Sequence, residues 1–182
     1  KLQKGDLKYE DMNGDGQIDD NDFCVIGNST PKMIYGVNVS LRYRDFDLTV
    51  VGTGRAFYDL ALTNDYFWNG WGDGNYSKYT LRNAGNPDHP RLTYNKVNNN
   101  YKTSTFWLED GGFFKIQTVE LGYELPVHRL GITSIRRMRV YVRGNNLCTV
   151  SKIKDVDPEA IGSGLTNYPL MRTFVAGVKL TF

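Results

Sequence analysis

The stretch from Asp11 to Asp22 carries the strongest chemical signal in the chain. It places side-chain oxygens at loop positions one, three and five (Asp11, Asn13, Asp15), a glycine at six (Gly16) and an acid at twelve (Asp22). That is the spacing of a calcium loop, in which alternate residues turn hard oxygens toward one centre and the glycine allows the sharp bend. Gln17 would add its backbone carbonyl, and Asp19 would reach the ion directly or through water. Ile18 would pin the loop to a neighbouring surface. The expected ion is calcium, with magnesium as the alternative. Asp22 stands where the pattern has a bidentate Glu and is one methylene shorter. No amphipathic helix precedes Asp11, so the expectation is a structural clip rather than a sensor or a catalytic metal. The competing reading is an acidic turn that holds no ion.

A second cluster, Tyr66, Phe67, Trp68 and Trp71, is set among Asn64, Asn69, Gly70, Gly72, Asp73 and Asn75. Rings beside amides suit stacking on a sugar or a peptide, which makes Tyr66, Trp68 and Trp71 candidate ligand or partner contacts. The same rings could equally pack the segment onto its own scaffold.

Catalytic signals are weak, and no enzyme is expected. Glu109 and Asp110 are adjacent, so on a strand they would face opposite ways and could not flank one glycosidic bond. His89 and His128 lie near prolines with no nucleophile motif beside them. There is no phosphate-binding loop and no dinucleotide fingerprint, and the Arg136-Arg137-Met138-Arg139 run is too short to argue for nucleic acid. Cys24 and Cys148 are too few for a disulfide scaffold or a zinc site, and free thiols are expected.

What must position these groups is read from composition and period. The 182 residues carry 22 Lys plus Arg and 20 Asp plus Glu, a net charge of +2 that names no partner. Leu, Ile, Val and Phe make up 47 of the 182 residues, enough to fold. No apolar run is long enough for a transmembrane helix, which says nothing against strands that span a membrane. Residues 1–22 hold seven carboxylates and three lysines, whereas His128 to Lys154 holds seven Lys or Arg and no acid. Both read as solvated faces.

Helical periodicity is nearly absent and period-two alternation recurs five times. Tyr35, Val37, Val39, Leu41 and Tyr43 share one face of a strand, with Gly36, Asn38, Ser40 and Arg42 on the other. After a short turn at Arg44-Asp45, Phe46, Leu48 and Val50 oppose Asp47, Thr49, Thr53 and Arg55. From Phe113 to Leu125 the phase changes, Phe114 and Ile116 giving way to Val119, Leu121, Tyr123 and Leu125, and a bulge near Thr118 would reconcile the two halves. Met138 to Thr149 and Thr173 to Phe182 complete the set. The reading is an all-β antiparallel meander of about five amphipathic strands.

Connections alternate between short and long, the longest running from Tyr58 to Gly112 with no strand or helix read in it. Short turns on one side and long loops on the other are the habit of outer-membrane barrels, although a β-sandwich shows the same alternation within each strand. Cations in mid-strand (Arg42, Arg55, Arg139, Arg143, Lys179) require water on that face. An aromatic at the close of the last strand favours the barrel. The alternative is a soluble calcium-dependent glycan-binding β-sandwich, with a hydrolase a distant third.

The chain also resembles the C-terminal part of the SusC/RagA-like family of TonB-dependent outer-membrane transporters. The likeness rests on Gly5-Asp6-Leu7-Lys8-Tyr9 leading into the acidic loop, Ile26-Gly27-Asn28, Pro31-Lys32 and Tyr35-Gly36. It continues through Phe46-Asp47-Leu48, Leu121-Gly122-Tyr123, Leu125-Pro126, Arg139-Val140-Tyr141 and Gly144-Asn145-Asn146-Leu147. It ends with Asp157-Pro158-Glu159, Tyr168-Pro169 and Arg172-Thr173-Phe174. The resemblance implies a large Gram-negative outer-membrane barrel with an N-terminal plug that contacts TonB, a SusD-like surface lipoprotein as partner, and glycans or peptides as cargo. Plug and TonB-contacting segment lie outside these residues, so the expectation is a fragment that does not transport by itself and whose exposed strand edges pair with something, a second copy being one candidate. If Phe182 ends at the periplasmic rim, strand parity divides the chain into four parts. These are an extracellular loop with the calcium motif (1–32), a barrel hairpin (33–57), a long extracellular loop (58–112) and the last barrel strands (113–182).

Overall fold

The computed structural model describes residues 2–68, 76–92, 98–131, 134–162, 168 and 170–182. Two compact units emerge: Lys1–Thr30, Tyr58–Asp110 and Ile153–Tyr168 form one, and Pro31–Phe57, Gly111–Lys152 and Pro169–Phe182 form the other.

The strands in chain order are β1 (Met33–Tyr43), β2 (Phe46–Ala56), β3 (Asp59–Ala61), β4 (Leu108–Asp110), β5 (Phe113–Leu125), β6 (Arg137–Ser151) and β7 (Thr173–Thr181). Five of them make one antiparallel sheet in the order β1-β2-β5-β6-β7. This is the open meander that the alternation predicts. Arg44, at φ 53, turns the β1–β2 hairpin, and Glu124 donates its N–H to Asp45 O at 2.8 Å beside it.

Register sorts the side chains by chemistry. Leu41, Leu48, Leu121, Val142 and Ala176 form one cross-strand row, and Tyr43, Phe46, Tyr123, Val140 and Val178 form the next. The row between them carries Arg42, Asp47 and Tyr141, and the rows on either side carry Glu120 with Arg143 and Arg139 with Lys179, because successive residues of a strand point to opposite faces. The phase change on β5 is resolved where expected. Val51 pairs with Thr118 and Gly52 with Ile116, so Gln117 is the extra residue that keeps Ile116 and Val119 on the same face.

Most of the apolar face is exposed: Leu41 is 59%, Val142 57%, Val178 57% and Phe174 75% accessible. A sandwich would cover that face with a second sheet. Among the described residues the other sheet is only the two-stranded β3–β4 pair.

The unit of Lys1–Thr30, Tyr58–Asp110 and Ile153–Tyr168 has a core of its own, built from Leu62, Phe67, Trp107, Ile153 and Ile161. The segment from Tyr58 to Gly112, which offers no element to sequence reading, contributes β3, β4 and a short helix α1 (Lys78–Asn83). Ser77 caps that helix, its side chain accepting from Thr80 N. Asn28 joins β3 on both sides of one residue, accepting from Asp59 N at 2.7 Å and donating to Asp59 Oδ2 at 2.9 Å.

Candidate functional site

The acidic loop is held open by its own backbone donors. Asp11 accepts from Gly14 N at 2.6 Å and Gly16 N at 2.7 Å, Asn13 from Asp15 N at 2.9 Å, and Asp15 from Gln17 N at 2.8 Å. Asp22 closes the ring, accepting from Met12 N and Asp19 N, each at 2.8 Å. These bonds hold the Asp22 carboxyl below the usual carboxylate range, the Asp19 N–H contributing most. Gly16 sits at φ 80, where a side chain would be strained. Asp11, Asn13, Asp15, Asp19 and Asp22 thus lie on one exposed ring, with Gln17 between them. Among the described residues, no three Asp, Glu, His or Cys side chains converge into a finished metal cage. A carboxylate offers about four acceptor positions, and each of these keeps some unused.

A buried polar latch ties the strap before this loop to the core of the same unit. Arg91 Nε donates to Asp6 Oδ1 at 2.7 Å, and Asn100 Nδ2 donates to the same oxygen at 3.0 Å. Asn100 Oδ1 accepts from Leu7 N at 2.8 Å, and its backbone carbonyl accepts from Trp107 Nε1 at 2.9 Å. The Asp6 side chain is 1% exposed. The Arg91 guanidinium, with help from Asn100, lowers its pKa to about 2 despite the burial that opposes ionisation. A buried carboxylate kept charged in this way is a structural tie. No spacing in the sequence points to it, since its partners lie 85 and 94 residues away.

Of the candidate ligand rings, Tyr66 and Trp68 are packed against the core, and Trp71 lies outside the described residues. Phe67 is 4% exposed and meets Tyr79 edge-on at 4.9 Å. Trp68 sits 6.3 Å from Trp107 and 6.1 Å from Tyr101, centroid to centroid. Tyr66, Phe67 and Trp68 therefore each pack against neighbouring rings of the same unit. His89 packs edge-on against Tyr79 and Phe106, and burial lowers its pKa against the opposing charge of Asp88. Glu109 and Asp110 occupy successive positions of β4. Cys24 and Cys148 are both free and exposed.

The polar face of the five-stranded sheet carries an ion-pair network. Arg139 bridges Asp47 and Glu120, donating from Nε to Asp47 at 2.9 Å and from Nη2 to Glu120 at 2.7 Å. Arg143 shares Glu120, Nε donating at 2.6 Å, and Arg42 pairs with Glu124 at 2.9 Å. The Tyr141 ring lies between the two central arginines, 5.4 Å from Arg139 Cζ and 5.6 Å from Arg143 Cζ. A Cβ on Gly177, the residue paired with Tyr141, would come within 2.6 Å of that ring.

No family model matches the chain. It is 30% identical over 98% of its length to TonB-dependent receptor P26 of Formosa agariphila, and 29% identical over 96% to receptor P3 of the same organism. It is 24% identical over 96% of its length to TonB-dependent receptor SusC of Bacteroides thetaiotaomicron. The chain spans about a fifth of the length of these curated relatives, between 17% and 20%. The fold is similar to that of the RagAB peptide importer in its closed-closed state, with a TM-score of 0.66 and 27% identity over 92% of this chain and 20% of that one. Against the open-open state the TM-score is 0.62, with 28% identity over 85% of this chain and 17% of the other. Sequence and fold both place the likeness with SusC/RagA-like TonB-dependent receptors, and the open sheet matches a fragment of their barrel.

Proposed function

We infer that this chain, kin over nearly its whole length to SusC/RagA-like TonB-dependent receptors, forms the C-terminal barrel segment of an outer-membrane importer. In this reading it lines part of a pore and makes or breaks no bond. The supporting observation is the two-faced sheet. One face leaves Leu41, Val142, Val178 and Phe174 exposed, and the other carries the network around Arg139. In water, each large apolar side chain left uncovered forgoes roughly 1.5–3 kcal/mol. Such a face is stable against lipid, and a charged face is stable against an aqueous lumen. Strands of 11 residues, as in β1 and β2, tilted as barrel strands are, would rise about 28 Å, enough for an apolar band of about 25 Å. β1 and β7 each pair on one side only among the described residues, and in a closed barrel further strands would take those edges.

The three long segments leave from one end of the sheet and the two short turns from the other. We assign the long segments to the outer surface, where a SusD-like lipoprotein would meet them and glycans or peptides would arrive. Energy would come through a TonB complex acting on the N-terminal part. The acidic loop would bind calcium there, because its donor-fixed backbone and spare carboxylate lone pairs suit a hard cation. Magnesium is the alternative ion. Tyr66 and Trp68 would touch ligand or partner only through the ring surfaces that packing leaves open, with Trp71 as the third contact.

The test uses the polypeptide that carries this segment, expressed in a Gram-negative host. An epitope inserted after Asn86 should be reached by antibody on intact cells, and one inserted between Arg44 and Asp45 should be reached only after lysis. The opposite pattern would overturn the assignment.

A further inference from the structure

A cleft of about 600 Å³ lies wholly within the unit that holds the acidic loop, lined by the strap before the loop, by Asn99 and by the loop itself. That is the size of a small-ligand site. Two of its lining groups are tied down, since Tyr9 donates its hydroxyl to Asn99 O at 2.7 Å and Asn99 Nδ2 donates to Leu7 O at 2.6 Å. Leu2 and Ile18, 56% and 47% exposed, line it with aliphatic carbon. The charged groups on the lining are Lys8, Glu10 and Asp11. The Asp11 carboxyl oxygens already accept from Gly14 N and Gly16 N, whereas among the described residues Glu10 accepts from no donor and Lys8 meets no carboxylate. Glu10 is thus the acid left to a ligand. The surroundings add to its charge: Asp15, Asp19, Asp20 and Asp22 follow in the same loop, and the whole unit holds 16 Asp plus Glu against nine Lys plus Arg. Such an excess favours the approach of a cation.

We propose that this cleft receives a lysine or arginine side chain of a peptide. These two residue types join an aliphatic stem to a cationic head, and the cleft offers aliphatic carbon for the one and a carboxylate for the other. The stem would lie against Leu2 and Ile18, the head would donate to Glu10, and Lys8 would donate to a carbonyl of the peptide backbone. A neutral sugar brings no cation to Glu10, and an acidic sugar would be repelled by the loop. Charge complementarity therefore selects a basic peptide. The assignment of that peptide as cargo rests on the importer reading above and deepens it. Hydrogen bonds between ionised partners are about twice as strong as neutral ones, which makes Glu10 the residue that sets the preference.

The test is titration calorimetry of the complete polypeptide in detergent micelles at fixed calcium. The probes are acetyl-Ala-Lys-Ala-amide, acetyl-Ala-Gln-Ala-amide and maltohexaose. The lysine peptide should bind about tenfold more tightly than the glutamine peptide, the return of one charge-assisted hydrogen bond. Glu10→Gln should bring that ratio close to one. Asp20→Asn removes the same charge from the neighbouring loop, but Asp20 is not on the lining, so this variant should keep the ratio. Equal affinity of the wild type for the two peptides, the same loss in both variants, or tighter binding of maltohexaose than of the lysine peptide would overturn the site while leaving the importer reading intact. An epitope after Asn86 that is reached only after lysis would overturn the importer orientation and the cargo role with it, whatever the calorimetry shows.

Discussion

Arg139 lies across Gly122 of the neighbouring strand so closely that a Cβ built on that glycine would come within 2.5 Å of the guanidinium carbon. The missing side chain lets one arginine reach Asp47 on one side and Glu120 on the other. Gly122→Val should displace Arg139, break both contacts, and lower stability in micelles by about 1–3 kcal/mol, the usual cost of overpacking. Denaturant unfolding measures it. An unchanged midpoint would mean that the network is ornamental.

The Asp6 latch makes a prediction about pH. Its pKa is about 2 when folded, against 3.8 for the ordinary carboxyl, so the ionised form stabilises the fold. That contribution is fully present above pH 3.8 and is lost as pH falls through 2. Its size is about 2 kcal/mol. Asp6→Asn should remove it, flattening the acid limb of the stability curve. It should also speed hydrogen exchange at the Leu7 amide, which bonds Asn100. An acid limb identical to wild type would sink the assignment.

Trp68→Ala distinguishes a scaffold ring from a ligand ring. With Trp107 and Tyr101 as neighbours, its loss should destabilise this unit by about 2–3 kcal/mol, toward the low end for a large aromatic because the ring is only partly buried. If thermal unfolding is unchanged and only partner or ligand affinity falls, the ring faces outward in function.

The sequence shows the sheet clearly because period-two alternation over nine or more residues has no competitor in this chain, and the strands run 9 to 15 residues. The bulge was visible too, since a single extra residue at Gln117 inverts every side chain beyond it. β3, β4 and α1 were not. Three-residue strands and a six-residue helix are shorter than any period that could announce them. The acidic loop was legible as a local motif, but the Asp6, Arg91 and Asn100 tie joins distant positions and leaves no local mark. Composition around Tyr66 and Trp68 suited a binding patch or a core equally well, and only packing against Trp107 shows how those rings are used.

Calcium should order the acidic loop. At ten times a submillimolar Kd, binding to the folded state would stabilise it by about 1.4 kcal/mol. Asp15→Ala should abolish the gain, because Asp15 both offers oxygen to the ring and orders Gln17 N. Asp20→Ala should not, because position ten is no ligand in this spacing. Calorimetry with calcium and magnesium at matched ionic strength checks both. Equal responses of wild type and Asp15→Ala would reduce the loop to an acidic turn.

The two-faced sheet as a membrane wall is the central claim, and adjacent residues of β1 test it best. Val39 pairs with Val50 on the apolar face and Ser40 with Thr49 on the polar face, both in mid-strand. Gly177, the polar neighbour of Val178, would be a poor control because its place is taken by the Tyr141 ring. Val39→Arg and Ser40→Arg should therefore be compared for folding stability in lipid vesicles. The account predicts a cost of about 2–4 kcal/mol for Val39→Arg, the penalty of a cation at the bilayer midplane, and little change for Ser40→Arg. Equal tolerance of the two substitutions, or a greater cost at Ser40, would contradict it.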